Sequence, residues 1–388
     1  MPGEGWRAIG GRLWGDLSVS GHLAPLDLQV AGQVHGSDVV LGQRNLGDIA
    51  FGVEGSITSE LARLQTWQFD LLGGQWKLAA TYWPEEDQAQ LHLETAGVSL
   101  QELDQALAEP LYLQGQLIGT IDLVLPHWDT EQLSGEGRVR VLDLQMPKPV
   151  AVDAQRLTAD LKIADGILKV PNIKAEQGDS LLTGSASINL ADPSSLQVKL
   201  EPRDWPVRTG DVAASLTGSA DLTVDLEKTA LVGPVSLRGP VEYQGKGLGN
   251  IDLTAKLSGR SIDVEQLTAN VLGGSVTGTA HYNLDNLPEV RAQLAIRGID
   301  GGQVAALVPQ AEGLSGAFDG SLRIGPAASR RAPEPLQASL ELTPTDASFR
   351  SAQIGQVRLN VFHGSNRFVL DESTIELAEG VLNPYGRY

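Results

Sequence analysis

The segment with the most recognisable chemistry is Gly178-Asp-Ser-Leu181, which spells the nucleophile block of some esterases. That chemistry needs Ser180 beside a histidine base that a carboxylate orients. The candidate base downstream is His363, but Asn360-Val-Phe precedes it, so the expected carboxylate is missing. The block also falls on a glycine turn of a repeat that is described below. We therefore expect no esterase.

The sequence also contains no motif that indicates a metal site or a phosphate-binding loop. The chain has no cysteine, and none of its six histidines pairs with another at metal-ligand spacing. Acidic residues are scattered and form no calcium loop. Gly245-Lys-Gly-Leu-Gly249 is rich in glycine, but no βαβ pattern surrounds it, so it is predicted to be a turn. We expect no cofactor, no metal and no enzymatic activity. The histidines are His22, His35, His92, His127, His281 and His363.

The charge of the chain excludes one class of partner. With 29 Lys and Arg against 48 Asp and Glu, the net charge over 388 residues is −19. Such a charge repels nucleic acid and anionic membrane surfaces, and it indicates a solvated outer face. Nucleic-acid binding is therefore not expected.

Alternation of apolar and polar residues is the dominant pattern. In Leu157-Thr-Ala-Asp-Leu-Lys-Ile163 the apolar side chains point one way and the polar ones the other. The pattern predicts an all-β fold of short, largely antiparallel strands with one apolar and one polar face. It recurs in Leu196–Leu200, Ile251–Leu257, Leu336–Leu342 and Val357–Val361.

A glycine phrase recurs along the chain. Leu71-Leu-Gly-Gly-Gln-Trp-Lys-Leu returns as Val271-Leu-Gly-Gly-Ser-Val-Thr-Gly, with looser copies at Gln177 and Ala378. We expect tight hairpin turns there, because consecutive glycines supply the positive φ angles that such turns need. The predicted turn glycines are Gly73, Gly74, Gly178, Gly273, Gly274 and Gly380.

A second phrase follows the first three copies at a nearly constant distance: Leu113-Gln-Gly-Gln-Leu117, Leu216-Thr-Gly-Ser-Ala220 and Leu314-Ser-Gly-Ala-Phe318. The chain is therefore expected to be one repetitive β segment over 1–388, built from units of about one hundred residues. The expected units are 1–110, 111–212, 213–312 and a truncated 313–388, and we expect the chain to be a segment of a longer protein.

Two of these units carry a helical insert between the phrases. Ser99-Leu-Gln-Glu102 is a capping box, and Asp300 is a candidate cap in the later unit. We expect these short helices to be connections, although they could also plug or cover the edge of the sheet. The apolar residues expected on the two helices are Leu100, Leu103 and Leu107, followed by Pro110, and Val304, Leu307 and Val308, followed by Pro309.

These phrases together resemble the AsmA/TamB-like family of bacterial envelope proteins. The resemblance rests on the glycine phrase at 273–280, the segments at 298–307 and 314–320, a weaker version over 64–123, and the opening Ile9-Gly-Gly-Arg-Leu-Trp-Gly-Asp-Leu17. It implies an elongated, curved sheet forming a trough (a β-taco) with an apolar interior. It also implies a periplasmic location, an inner-membrane anchor in the full-length protein, possible envelope protein partners, and a bridge-like role in phospholipid transport and outer-membrane integrity or assembly. This sequence shows no run of apolar residues long enough for that anchor, so contact with a membrane would use parts outside it.

The expected function is therefore non-enzymatic: acyl chains of phospholipid or another lipid held on the apolar inner face. Two alternatives remain at this point. The same residues could pack into an ordinary sandwich core, or the chain could be a structural or adhesive extracellular β-repeat scaffold with a closed core. The predicted lining residues are Leu157, Leu161, Ile163, Val198, Leu200, Ile251, Leu253, Leu257, Leu340, Val357 and Leu359.

The seven tryptophans all lie in the first 205 residues. Trp76 alternates with Leu78, which predicts a place in the core or the groove, whereas a protein interface is the functional alternative. The sequence leaves the choice open. The others are Trp6, Trp14, Trp67, Trp83, Trp128 and Trp205.

Overall fold

The computed structural model is almost entirely β-strand, which confirms the all-β, antiparallel fold class. Its contacts divide the chain into two compact units, Met1–Leu200 and Glu201–Tyr388, which are described separately. The structure describes residues 9–41, 44–105, 112–129, 132–146, 152–226, 228, 230–283, 289–326, 336–364, 367–378 and 380–387.

The described part of the first unit contains long strands and the short helix α1 (Leu100–Asp104). The strands are β1 (Ile9–Leu23), β2 (Leu26–Leu41), β3 (Arg44–Thr58), β4 (Ala62–Thr66), β5 (Phe69–Leu71), β6 (Gly74–Trp83), β7 (Gln88–Ser99), β8 (Gln114–Pro126), β9 (Ser134–Met146), β10 (Val152–Ala164), β11 (Ile167–Gln177), β12 (Ser180–Asn189) and β13 (Ser195–Arg203), which carries the boundary.

Strands of the first unit pair with their neighbours in the chain. From β1 to β4 and from β6 to β12, each described strand pairs antiparallel with the next. β4 pairs with β6, and β5 forms a short hairpin with β6 beyond it. Such a meander arises because short turns favour antiparallel pairing of successive strands.

The second unit is built in the same way and contains helix α2 (Gly301–Leu307) and the 3-10 turn Pro309–Ala311. Its strands are β14 (Trp205–Thr209), β15 (Val212–Asp225), β16 (Ala230–Tyr243), β17 (Lys246–Gly259), β18 (Ser261–Val271), β19 (Gly274–Asn283), β20 (Arg291–Asp300), β21 (Leu314–Pro326), β22 (Leu336–Phe349), β23 (Ala352–Gly364), β24 (Arg367–Leu370), β25 (Thr374–Leu377), β26 (Gly380–Leu382) and β27 (Gly386–Arg387).

Successive strands from β14 to β23 pair antiparallel. The meander then divides, since β24 and β25 both pair with β23. β27 adds to β24, and β26 adds to β25.

The sequence predicts that both glycines of each phrase lie in the hairpin turn, and this prediction is wrong for the second glycine. The turn residues are Leu72-Gly73 and Leu272-Gly273, with φ near +53° and +69° in the first and +52° and +74° in the second. Gly74 and Gly274 instead begin the next strands. They must be glycine for another reason: a Cβ on Gly74 would lie 2.4 Å from Val98 N, and one on Gly274 would lie 2.4 Å from Arg297 O.

The two looser copies differ from each other. Gly178 lies in the β11–β12 turn with φ +58°, as predicted. Gly380 is the first residue of β26, opposite Leu377, and so lies after its turn rather than within it.

A glycine bulge leads into each helix. The register shifts between Thr95 and Val98 in β7, and between Ile296 and Ile299 in β20. Gly97 (φ +72°) and Gly298 (φ +63°) lie within these shifts, as is typical of bulges that use a glycine in the left-handed region.

Both predicted helix caps are confirmed. Ser99 Oγ accepts from Glu102 N at 3.4 Å, and Asp300 Oδ1 accepts from Gly302 N at 2.7 Å. The cap residues are also tied to the preceding turns, because Ser99 N donates to Leu72 O and Asp300 N donates to Leu272 O. Leu107 and Pro110 lie outside the described residues, and Val308 lies just beyond α2.

Glycine is required inside the sheet at Gly278, because the backbone of a neighbouring strand approaches it closely. Gly278 pairs with Leu267 on one side and with Leu294 on the other. A Cβ at this position would lie 2.0 Å from Gln293 O, a distance that no side chain tolerates.

We predict that Gly278→Ala lowers the free energy of unfolding by about 2 kcal/mol, because the backbone must shift to accept the methyl group. Urea denaturation followed by circular dichroism measures the change. Gly325→Ala is the matched control, since a Cβ there meets nothing within 4 Å, and it should change stability by less than about 0.5 kcal/mol. Equal effects of the two substitutions would show that the close contact is not what requires glycine.

Candidate functional site: the apolar sheet faces

Strand register in the second unit aligns leucines into a continuous row. Leu253 on β17 pairs with Leu237 on β16 and with Leu267 on β18. Because directly paired residues of antiparallel strands project on the same side, the row runs across eight strands on one face. Its members are Leu237, Leu253, Leu267, Gly278, Leu294, Leu322, Leu340 and Leu359.

Neighbouring rows on the same face are equally apolar. Ile251 and Val357 belong to one row, and Leu257 to another that also holds Ile262 and Tyr282. All six lining residues predicted for this unit therefore lie on one face. The row of Ile251 contains Gly239, Ile251, Ala269, Val276, Ile296, Gly320, Leu342 and Val357.

The first unit has a corresponding face of its own. Leu157, Leu161 and Ile163 alternate on β10, and each pairs with an apolar residue or a glycine on β9. The row of Ile163 contains Val19, Val30, Gly55, Leu64, Ala80, Leu91, Leu123, Gly135, Ile163, Leu168 and Ile188.

The last two predicted lining residues lie on β13. A Cβ on Gly184 would lie 3.0 Å from Leu200 Cδ2, and Gly184 pairs with Ile173 of β11. Leu200 therefore projects on the apolar side, and Val198, two residues earlier, shares that side by alternation.

Most of these side chains are only half-buried. Ten of the eleven predicted lining residues are of intermediate exposure, and the eleventh, Val357, is 8% exposed. A leucine in the core of a two-layer fold is usually covered completely. The apolar faces are therefore less covered than a closed core.

The helices cover one end of these faces. Val98 is fully buried, and Leu72 and Leu100 are 6% and 7% exposed around α1. In the second unit, Phe318 is 6% exposed, and a Cβ on Gly301 of α2 would touch its ring at 2.9 Å. The helices are connections, and they also bury the apolar residues nearest to the turn edge.

The opposite faces are polar and carry ion pairs between strands. In the first unit, Arg138 Nε donates to Asp160 Oδ1 at 2.8 Å, and Asn172 Nδ2 donates to Asp160 Oδ2 at 3.1 Å. The bond from Arg138, and then the bond from Asn172, hold the pKa of Asp160 below its ordinary value of 3.8. Lys174 in turn holds the pKa of Glu176 below its ordinary value by its hydrogen bond and its charge.

The residues considered for chemistry occupy different elements of the fold. Ser180 begins β12 in the first unit, whereas His363 lies on β23 in the second, where its ring stacks on Phe368 with centroids 4.4 Å apart. His92 and His281 bind Asp122 and Asp263 respectively, each through Nδ1 at 2.6 Å. In the described ranges, His, Asp and Glu residues form no group that could hold a metal ion.

Sequence reasoning missed the His92–Asp122 and His281–Asp263 pairs. His92 stands opposite Asp122 on the next strand, and His281 stands opposite Asp263 on the preceding one. Neither pair has a spacing that suggests contact before the register is known.

The tryptophans occupy several environments. Trp205 is 6% exposed, and half-buried Trp76 donates from Nε1 to Leu71 O at 2.8 Å. Trp14, Trp67 and Trp128 are more than half exposed. Trp6 lies outside the described residues.

The chain matches no protein-family model, and no curated protein or solved structure is significantly similar to it. The AsmA/TamB-like resemblance therefore rests on the residue phrases alone. In the part of the chain that the structure describes, neither helix has the length and hydropathy needed to cross a bilayer.

The Arg138–Asp160 pair gives a pH prediction. Because the folded-state pKa of Asp160 is depressed, its contribution to stability is present at neutral pH and is lost as pH falls through that pKa. In an NMR titration of the side-chain carboxyl, Asp160 should titrate below 3.8, and Arg138→Gln should move its pKa upward towards that value. The control Arg323→Gln should leave it unchanged. An unaltered Asp160 pKa in Arg138→Gln would contradict the assigned cause.

Proposed function

We propose that this chain binds acyl lipid on its apolar sheet faces and is the lipid-conducting part of a bacterial cell-envelope protein. The observation that carries the proposal is the row of leucines through Leu253, which crosses eight strands while its side chains remain partly exposed. Apolar surface that is both continuous and incompletely covered usually marks a binding site.

The dimensions of the row suit an acyl chain. Strands lie about 4.8 Å apart, so eight strands give a row roughly 34 Å long, which exceeds the length of an extended fatty acyl chain. Each methylene removed from water contributes about 0.8 kcal/mol. A lipid lying along the row would therefore gain most of its binding energy from its chains, while its head group remains in water.

The uniformity of the face supports movement as well as binding. Neighbouring rows offer leucine, isoleucine, valine, alanine and glycine, with no charged residue along the row of Leu253. A lipid shifted by one strand meets nearly the same contacts, so the barrier to sliding is low. Phospholipid transport, a periplasmic location and an anchor outside this sequence are the parts of the proposal that rest on the family resemblance.

A structural scaffold with a closed core is the second candidate. It is favoured by Phe318 beside α2 and by Val357 on β23, which are only 6% and 8% exposed, so the apolar face is covered at these two positions. The lipid-binding candidate requires lipid on the rest of the apolar face, whereas the scaffold requires that protein cover it. The amount of lipid bound to the purified chain therefore distinguishes the two candidates.

We predict that the chain purified from a bacterial periplasm carries phospholipid, detected by native mass spectrometry and organic extraction. A lipid-free mass for a folded monomer would support the scaffold instead.

We further predict that Leu253→Asp removes most of the bound lipid, because a carboxylate on the row disfavours contact with acyl chains. Since Leu253 is partly exposed, the variant should remain folded by circular dichroism. The matched control is Gln266→Asp, which places the same charge on the polar face opposite Thr254 and should retain lipid. If Leu253→Asp unfolds while Gln266→Asp does not, the row belongs to a closed core.

A further inference from the structure

The apolar face of the first unit ends in a tyrosine on the edge opposite α1. Helix α1 lies beside the turn that precedes β6, whereas Tyr82 is the last residue but one of that strand. Tyr82 pairs with Ala62 on β4 and with Ala89 on β7. Ala80, two residues earlier on β6, belongs to the row of Ile163. The side chain of Tyr82 therefore projects on the apolar side, in the neighbouring row.

The second unit places a tyrosine at the same point of its own repeat. Tyr282 follows Gly274 at the same distance along the chain as Tyr82 follows Gly74. It pairs with Ile262 and is 39% exposed. A tyrosine combines an apolar ring with a polar hydroxyl and is therefore suited to a boundary that is apolar on one side and wet on the other. In each unit, this edge is where the apolar face meets water.

In the first unit, Tyr82 belongs to a cluster built from two turns. The ring of Trp128 packs on the ring of Tyr82, with centroids 5.5 Å apart and an interplanar angle of 39°. The Tyr82 hydroxyl donates to Asp87 Oδ1 at 2.9 Å, and the backbone N–H of His127 donates to Asp87 O at 2.6 Å. These bonds tie the turn before β7 to the turn after β8. Trp128 is nevertheless 61% exposed, and we call Tyr82 and Trp128 the aromatic rim.

The aromatic rim stands in strongly acidic surroundings. No lysine or arginine lies between Lys77 and Arg138, whereas this stretch of sequence contains eleven acidic residues. Glu85 and Glu86 are exposed in the turn between β6 and β7. Arg63, on the paired strand β4, lies opposite β6 but projects from the polar face. An exposed tryptophan ring with carboxylates beside it attracts cations and disfavours anions.

We propose that the aromatic rim receives the ammonium head group of a zwitterionic phospholipid whose acyl chains lie on the apolar face. This inference rests on the proposed function, because it names the class of lipid that the same face carries. The exposed ring of Trp128 attracts the cation, and Glu85 and Glu86 complement its charge. Rows two residues apart are separated by about 6.8 Å, so a lipid with its chains on the row of Ile163 has its head group within reach of Tyr82.

An anionic lipid fits this edge less well. The phosphate group that every phospholipid carries is repelled by the carboxylates of the acidic turn. In a zwitterionic lipid the ammonium group offsets that repulsion and gains the contact with the ring of Trp128. Phosphatidylglycerol has no positive charge with which to do either.

Titration with choline chloride tests the head-group site in the absence of lipid. The indole N–H signal of Trp128, assigned by its loss in Trp128→Leu, should shift with choline and saturate in the millimolar range. Sodium chloride at the same concentration should leave the signal in place. Glu85→Gln/Glu86→Gln should raise the choline concentration at half of the shift at least about twofold. A Trp128 signal that ignores choline, or that responds equally to both salts, would overturn the proposal.

Competition between two lipids tests the same site in the loaded chain. The delipidated chain is incubated with vesicles of equal phosphatidylethanolamine and phosphatidylglycerol with identical acyl chains, and native mass spectrometry gives the ratio of the two lipids bound. The unaltered chain should favour phosphatidylethanolamine at least about threefold. Trp128→Leu keeps the charge and the apolar character of the rim but removes the ring, so the ratio should fall towards one.

Trp14→Leu is the matched control for the competition. Trp14 is also exposed, at 53%, but it projects from the polar face opposite His35, so this variant should keep the preference. Equal binding of both lipids by the unaltered chain, or a ratio that Trp128→Leu leaves unchanged, would contradict the head-group site even if the total amount of lipid is high. Conversely, a chain whose Trp128 responds to choline but which carries no lipid would refute the proposed function and support the cation site, so the two failures are distinguishable.

Discussion

The rest of this structure depends on one constraint: every strand pair must keep the apolar side chains of both strands on the same face of the sheet. A slip of one residue in any hairpin would move that strand's apolar residues to the polar face. Leu237, Leu253 and Leu267 remain aligned on successive strands because each turn and each bulge leaves the apolar residues on the same side. Both the leucine row and the polar face follow from this alignment.

Bulges and turns interrupt the regular strand pairing, but in this chain they act together. In each unit, a leucine–glycine turn, a glycine bulge and a capped helix lie side by side. The turn leucine accepts a hydrogen bond from the cap residue, at 3.0 Å for Leu72 and 2.9 Å for Leu272. The glycine after the turn leaves room for the backbone of the bulge. This assembly closes one edge of the apolar face where a plain hairpin would leave it open.

Much of the fold could be predicted from sequence, because alternation and helix caps are local signals. The strand around Leu157 and the caps at Ser99 and Asp300 lie where they were predicted. The turn residues were predicted wrongly at Gly74 and Gly274, since rules based on intrinsic preference place glycine, not leucine, in the left-handed region. The actual reason for those glycines, close approach of another strand, depends on contacts that the sequence does not display.

The sequence predicts which residues lie on the apolar face, but it does not predict which of them align in one row across the sheet. Alternation places Leu253 and Leu340 on apolar faces, yet only the pairing of β17 to β22 shows that both belong to one line. The same limit hid the pairs His92–Asp122 and His281–Asp263, whose partners lie on neighbouring strands. Register depends on the exact lengths of strands and turns, and small errors in either are enough to lose it.

The order of pairing also has a consequence for how the chain reaches this state. Because nearly every strand pairs with its immediate neighbour, each new hairpin needs only the preceding strand as a template. The entropy of loop closure at each step is small, since no step joins distant parts of the chain. A growing or translocating chain could therefore fold progressively from its first strand, with one unpaired edge exposed at the advancing end at any moment.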